Sequence, residues 1–421
     1  MLTRCTYGFA LVLLAGWAAV ASAAEANQAK PFDWPQWQGI DRTAISKETG
    51  LLPSWPAGGP PLVWVAKGLG GGFSTPSVAA GRIFGMSFRG DDEVVWALDE
   101  QTGKELWATR IAATRRVGHG SGSRSTPTVD GELLYGVGVS GDLVCLEVAT
   151  GNIVWQKNMP KEFGGRMMSG WGYSESPLID GDKVIATPGG KEATLVALHK
   201  KTGDLIWQCP VPGGDGAGYS SVAVTTVNGQ RQYVQFLGRG VVGVAADDGK
   251  FLWRYDRPAN GTANCSTPVC LEDYVFAASA YGTGGGLVKI TPKGQENSAE
   301  EVYFTKSMKN HHGGMVLLDG YLYGANESIL TCLDYKTGQI MWETRAAGKG
   351  SIAYADGRLY FRNERGPLLL IDANPKEYVE RGRFDQPERS NLQAWPHPVI
   401  ANGKLYIRDQ DVLLCFDVKQ K

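Results

Sequence analysis

The chain has 421 residues and a formal net charge of −1, so it carries no strong field that would draw it to nucleic acid or to an anionic membrane surface. Gly is abundant at 56 residues and Trp at 13, while only 20 % of residues are charged, a mixture that suits tight turns joining short, well-packed strands. Seven Cys over this length do not make a stapled mini-protein, and a core this large needs no staples.

Residues 1–24 read as a secretory signal. Arg4 supplies the positive start, "FALVLLAGWAAV" the apolar stretch, and Ala21-Ser22-Ala23 the small residues for cleavage. The alternative is a buried N-terminal helix. The stretch is short for a membrane span, and no later one is long and apolar enough. A lipoprotein signal would place Cys directly after Leu14-Ala15-Gly16, where Trp17 stands. The expectation is a soluble exported protein, periplasmic or secreted, without a lipid anchor and without a transmembrane segment once the signal is removed. Residues 25–61 follow as a lead-in. Its "WPQWQGIDRTA" (34–44) carries aromatics that pack it against the rest of the chain, or that form a partner epitope. Residues 62–421 then form one repeat domain.

From residue 102 onward one motif recurs: "TGKELWATR" at 102, "TGNIVWQKN" at 150, "TGDLIWQCP" at 202, "DGKFLWRYD" at 248 and "TGQIMWETR" at 337. The steps between its Gly residues are 48, 52, 46 and 89, so a degenerate copy lies in the last gap. "GLVKI" (286–290) and "EVYFT" (301–305) are its two strands, split by the polar insert "TPKGQENSAE". A second signal, a turn then an apolar strand, begins at 81, 131, 181, 229, 273, 320, 357 and 403, and several copies follow Ser-Thr-Pro or a relative of it. Short strands with turn signals at a 40-to-50-residue period predict a propeller of four-stranded antiparallel blades.

The motif has a local physical reading. Its Gly takes positive φ in a hairpin turn, and the preceding Thr or Asp bonds the turn backbone. The Trp, on the outer strand, fills the gap between twisted blades and offers its indole N–H to a neighbouring backbone. The repeated Trp are therefore structural, not a row of catalytic or base-stacking aromatics. The chain ends at "DVLLCFDVKQK", a third strand with no outer strand after it, while "PPLVWVAKG" (60–68) carries Trp64 without a Thr-Gly turn. Residues 62–66 supply the missing outer strand of the last blade and remove an exposed edge. An all-β, eight-bladed propeller follows, with seven blades as the alternative.

Ala97-x-Asp99-x-x-Thr102-Gly103-x-x-x-Trp107 resembles the repeat of quinoprotein-type propellers, the pyrroloquinoline quinone (PQQ)-like repeat family, over essentially the whole mature chain. Other copies drift: Glu147, His199 and Ala245 replace the Asp, and Cys145, Gly243 and Cys332 replace the Ala. Cys415 occupies that small-residue slot too, so three of the six mature Cys act there as small hydrophobes. The family includes PQQ-dependent alcohol and glucose dehydrogenases. It also includes non-enzymatic propellers similar to BamB, a scaffold subunit of outer-membrane β-barrel assembly, and exported proteins labelled polyvinyl-alcohol-dehydrogenase-like. Fold kinship does not choose among these.

In a propeller the segments leading into the innermost strands gather around one mouth of the channel. Here they are rich in polar and aromatic side chains, and four of the five His (His119, His311, His312, His397) fall in them. Convergent polar groups at a concave mouth are a binding-site signature, although loops also collect polar residues for solubility alone. The candidates are these four His with Arg124, Arg166, Trp171, Tyr173, Glu175, Tyr219, Asn264, Glu364, Arg365 and Trp395. No compact ligand spacing links the His, so no metal site is assigned.

The leading reading is a binding or scaffold module for a protein partner or small-molecule ligand. The alternative that the resemblance implies is an oxidoreductase acting on alcohols or sugars with PQQ and calcium. Glu175, Asn264 and Glu364 would then supply oxygen ligands, Arg124, Arg166 or Arg365 would meet quinone carboxylates, and Trp171 or Trp395 would stack. The chain departs from that pattern in having no adjacent Cys-Cys and no Cys-x-x-Cys-His for a c-type haem. The two Cys of "CSTPVC" (265–270), five apart on an expected strand, point to opposite faces and are no substitute. "GTGGG" (282–286) lacks the Lys-Ser/Thr of a phosphate loop and is expected to be a flexible loop.

Overall fold

In the computed structural model the described residues are 30–118, 120, 122–294 and 296–421. The signal assigned to residues 1–24 lies outside them. The strands form eight four-stranded antiparallel sheets, of which seven run in chain order from an innermost to an outermost strand. Blade 1 is Ser77–Ala79, Arg82–Arg89, Asp92–Asp99 and Glu105–Ala113. The same order repeats to blade 7, which is Gly350–Ala355, Arg358–Asn363, Leu368–Asp372 and Glu380–Phe384. Blade 8 takes Val399–Ala401, Lys404–Asp409 and Val412–Asp417 from the C-terminus and its outer strand, Leu62–Ala66, from the N-terminal side. The ring is an eight-bladed propeller closed by the N-terminal strand, as the repeat count predicts.

Most of the motif Trp cover the turn of the following blade; Trp253 of blade 4 does not, its Nε1 donating to Gln232 Oε1 of its own blade at 2.8 Å. A Cβ on Gly103, Gly151, Gly203 or Gly249, all at φ between 69° and 75°, would lie within 3 Å of Trp64, Trp107, Trp155 or Trp207 respectively. Trp107 Nε1 donates to Val148 O at 3.1 Å and Trp155 Nε1 to Lys200 O at 2.8 Å, in each case in the next blade. In the degenerate blade 5 Tyr303 takes this place, over Gly338 and donating to Tyr335 O at 2.9 Å. The small-residue slot has an equally local cause, because it stands opposite the Trp on the neighbouring strand. Ala97 pairs with Trp107, Cys145 with Trp155, Gly243 with Trp253, Cys332 with Trp342 and Cys415 with Trp64. The six described Cys are all free, and burial pushes the thiols of Cys145, Cys332 and Cys415 up to about 12.

Two expectations change. The polar insert of blade 5 does not split its strands. Gly284–Lys293 and Glu296–Thr305 pair from Gly285 opposite Thr305 to Lys293 opposite Glu296, with one bulge between Leu287 and Val288, so the insert is the tip of one long hairpin. Gly284–Gly286 of "GTGGG" lie in that strand rather than in a flexible loop, paired with Ser279, Ala278 and Ala277. Space explains these glycines, since a Cβ on Gly286 would lie 2.0 Å from the Tyr255 hydroxyl.

The Ser-Thr-Pro segments tie the inner ring together. Thr126 N–H donates to Ser176 Oγ at 2.8 Å, Ser176 N–H to Ser221 Oγ at 2.9 Å, and His397 N–H to Thr75 Oγ1 at 2.9 Å, each across a blade boundary.

Candidate functional site

The lead-in runs through the channel and meets the inner rim of every blade. Trp34 pairs with Val78 of blade 1, and Pro35 O accepts from Val129 N–H of blade 2. The Arg42 guanidinium donates to Ser176 O and Pro177 O of blade 3 and Val222 O of blade 4, and burial holds its pKa down to about 10. Trp37 Nε1 donates to Thr267 Oγ1 of blade 5 at 2.9 Å, and Gln38 packs near Gly314 of blade 6. Tyr354 of blade 7 bonds Ala44 and Ser46, and Trp37 packs on His397 of blade 8 at 4.5 Å between centroids.

Above this segment lies a cavity of about 650 Å³ on the side where the chain feeds the innermost strands. Trp37 projects into it from the lead-in. Along one wall the rings run Phe73–Trp395 (4.5 Å), Trp395–His312 (5.2 Å), His312–His311 (4.6 Å) and His311–Tyr281 (5.1 Å). Trp171 and Tyr219, 5.5 Å apart, line another part. Three cations, Arg124, Lys349 and Arg365, face a single carboxylate, Glu364. Glu364 accepts from Trp395 Nε1 at 2.8 Å, and Lys349 Nζ stands 3.2 Å from its other oxygen.

His312 is held well below the ordinary imidazole range by burial, with the charges of His311, Lys349 and His397 acting the same way. Neither of its ring nitrogens has a hydrogen-bond partner among the described residues. His397, 3 % exposed, is held down to about 4 by burial, and its Nε2 lies 2.8 Å from His312 O.

Nine of the residues named from sequence therefore share one cavity: Arg124, Trp171, Tyr219, His311, His312, Glu364, Arg365, Trp395 and His397. His119 lies outside the described residues. Arg166, Tyr173, Glu175 and Asn264 do not line the cavity. Arg166 is exposed on the rim, and Tyr173 is buried with its hydroxyl donating to Pro188 O at 2.8 Å. Glu175, 2 % exposed, is pushed up to about 7 by burial while it accepts from Thr187 N–H and Oγ1. Asn264 is fully buried, donates to Leu237 O and Gly238 O, and accepts from Asn260 N–H. Sequence reasoning missed Phe73, Tyr281, Lys349 and Trp37. The first three sit in segments flanking strands and carried a weak signal; Trp37 belongs to the lead-in, for which the sequence offers packing or a partner epitope but no place at the cavity.

These placements bear on a calcium-bound quinone, which needs several protein oxygens converging on one ion at about 2.3–2.6 Å. The oxygens of Glu175 and Asn264 are engaged elsewhere in the protein, and Glu364 alone faces the cavity. No cluster of three metal-ligating His, Cys, Asp or Glu occurs among the described residues. The ligand set named for the ion does not fit, while the size and cationic wall of the cavity suit an organic anion.

Comparison with known proteins places the chain in context. The family model described as outer membrane protein assembly factor BamB matches residues 41–169, 91–344 and 327–420. Among curated proteins, the chain is similar to outer membrane protein assembly factor BamB of Yersinia pestis, at 24 % identity over 337 residues, covering 73 % of this chain and 76 % of that protein. BamB of Shewanella oneidensis is 22 % identical over 321 residues, covering 70 % and 72 %. Among solved structures, quinohemoprotein alcohol dehydrogenase from Comamonas testosteroni aligns with a TM-score of 0.64 at 12 % identity, covering 96 % of this chain and 84 % of that one. BamB from Moraxella catarrhalis aligns with a TM-score of 0.55 at 14 % identity, covering 80 % and 94 %. At these identities the structural likeness establishes the fold alone.

Proposed function

Because the chain belongs to the family described as outer membrane protein assembly factor BamB, a family of PQQ-like repeat propellers, we propose that it is an exported binding scaffold whose channel-mouth cavity receives a ligand or a segment of a partner protein. One observation carries this reading: rings and charged groups from all eight blades converge on one cavity of about 650 Å³. That volume lies within the range of sites that enclose a small molecule or an anchoring side chain. His312, whose buried ring nitrogens have no hydrogen-bond partner among the described residues, adds polar groups that an occupant can satisfy. The signal pattern of residues 1–24 supports export.

Photo-crosslinking tests the reading. A photoreactive residue at Leu392, 44 % exposed and close to Trp395, is compared with one at Lys201 in a turn on the opposite face. The same partner adduct from Leu392 and not from Lys201, lost on adding Trp395→Ala, is the expected result. Equal adducts from both faces would remove the cavity from the account.

A second reading, a PQQ-dependent oxidoreductase acting on alcohols or sugars, is favoured by the size and cationic wall of the same cavity. A PQQ titration with and without calcium separates it from the scaffold.

A further inference from the structure

We propose that the mouth face docks an extended, acidic protein segment that lies across the channel and places an aromatic residue in the cavity. This inference rests on the reading of the cavity as a binding site and specifies its occupant. Arg115, Arg116, Arg166, Arg345 and Arg365 are exposed, and among the described residues none of them makes an ion pair or a side-chain hydrogen bond. All five lie in connections on the mouth side. Arg115 and Arg116 precede blade 2, Arg166 precedes blade 3, Arg345 precedes blade 7, and Arg365 lies in the turn between Arg358–Asn363 and Leu368–Asp372.

Arginines on the opposite face are occupied. Arg82 donates to Val148 O and Ala149 O, Arg231 to Asp180, and Arg358 to Pro53 O beside Asp372. Several carboxylates of the mouth side are engaged, Asp92 with Arg110, Glu162 with Lys157 and Glu327 with Lys309, while Asp91 and Asp385 are exposed without an ion pair among the described residues, so the five arginines outnumber them. Among the described residues, a chain of net charge −1 thus leaves guanidinium groups uncommitted on one face only.

The arrangement argues for the type of partner. Blades 3 and 7 stand opposite each other in a ring of eight, so the arginines form two groups with the ring-lined cavity between them. A segment crossing the mouth meets guanidinium groups at both ends, each able to hold a carboxylate through two parallel hydrogen bonds. The apolar rings between them suit a planar side chain. A nucleic acid or sulfated polysaccharide would be served better by a continuous basic track.

The test uses the purified chain and a fluorescein-labelled 16-residue peptide with a central Trp and Glu-rich flanks, alongside the same peptide with every Glu replaced by Gln. The expected result is saturable binding of the Glu peptide that weakens steeply as salt rises. Arg115→Ser/Arg116→Ser/Arg166→Ser and Arg345→Ser/Arg365→Ser should each weaken it by roughly tenfold or more with unchanged melting temperature. Equal binding of the Gln peptide, or no effect of either set of substitutions, would overturn the acidic segment while leaving the cavity reading intact. Failure of both peptides to bind overturns it as well, and crosslinking from Leu392 still judges the cavity independently. Binding of heparin without the Glu peptide would replace the protein segment with another polyanion.

Discussion

Trp155 covers Gly203 of the next blade and donates to Lys200 O, so one side chain holds both the shape and the position of that turn. Trp155→Ala is expected to cost roughly 3–5 kcal/mol of stability. Trp155→Phe, which keeps most of the area and loses the N–H, should cost less. Urea denaturation of the two variants checks the order. His397 makes a second prediction. Its pKa falls from the ordinary 6.5 to about 4 on folding, so between these values the unfolded chain binds more protons and stability declines as pH falls. Going from pH 7 to pH 5 should remove about 2 kcal/mol through this residue. Glu93 and Glu175, each raised to about 7 by burial, act in the opposite direction, gaining stability as pH falls. They are common to wild type and His397→Gln, so denaturation of both proteins at both pH values isolates the histidine. A difference between them that does not change with pH would refute it.

The blade is built by pairing a small residue with a large one, and this was legible as a slot in the repeat although its cause was not. Cys332 stands opposite Trp342, so Cys332→Leu should overpack the pair and cost about 1–3 kcal/mol. Cys332→Ala should be tolerated with a much smaller loss, as thermal denaturation will show. Blade 7 lacks the motif because the pairing is inverted, with Leu370 opposite Gly382. The site was legible in part because position in the repeat identifies which connection reaches the mouth. It does not identify which way each side chain turns. Within "WGYSE" Trp171 enters the cavity, while Tyr173 and Glu175 turn into the protein. Trp37 was out of reach for another reason: no repeat period constrains the lead-in, so its path through the channel is a tertiary fact.

At the scale of the whole molecule, closure combines the N-terminal strand with two buried arginines that the repeat does not announce. Arg408 of blade 8 donates to Ser74 O, Met86 O and Ser87 Oγ of blade 1, and Arg362 of blade 7 donates to Pro396 O and Arg408 O of blade 8. Burial holds both guanidinium groups down to about 9, and dense hydrogen bonding offsets the cost of desolvating them. Val65→Pro places a proline in the ladder between Leu62–Ala66 and Val412–Asp417. It should lower the melting temperature and expose an edge that associates between copies, visible by light scattering after size exclusion. A monodisperse variant with unchanged melting would argue against closure by this strand.

The central claim is that this propeller binds a ligand or partner at its mouth without a calcium-bound quinone. A PQQ titration with and without calcium, followed by melting temperature, tests it most directly. A ligand bound only by the folded state adds about 2.7 kcal/mol at a hundredfold excess over Kd. The account predicts no calcium-dependent rise, because Glu175 and Asn264 are committed elsewhere. A saturable rise that requires calcium would contradict it and make the chain a quinoprotein.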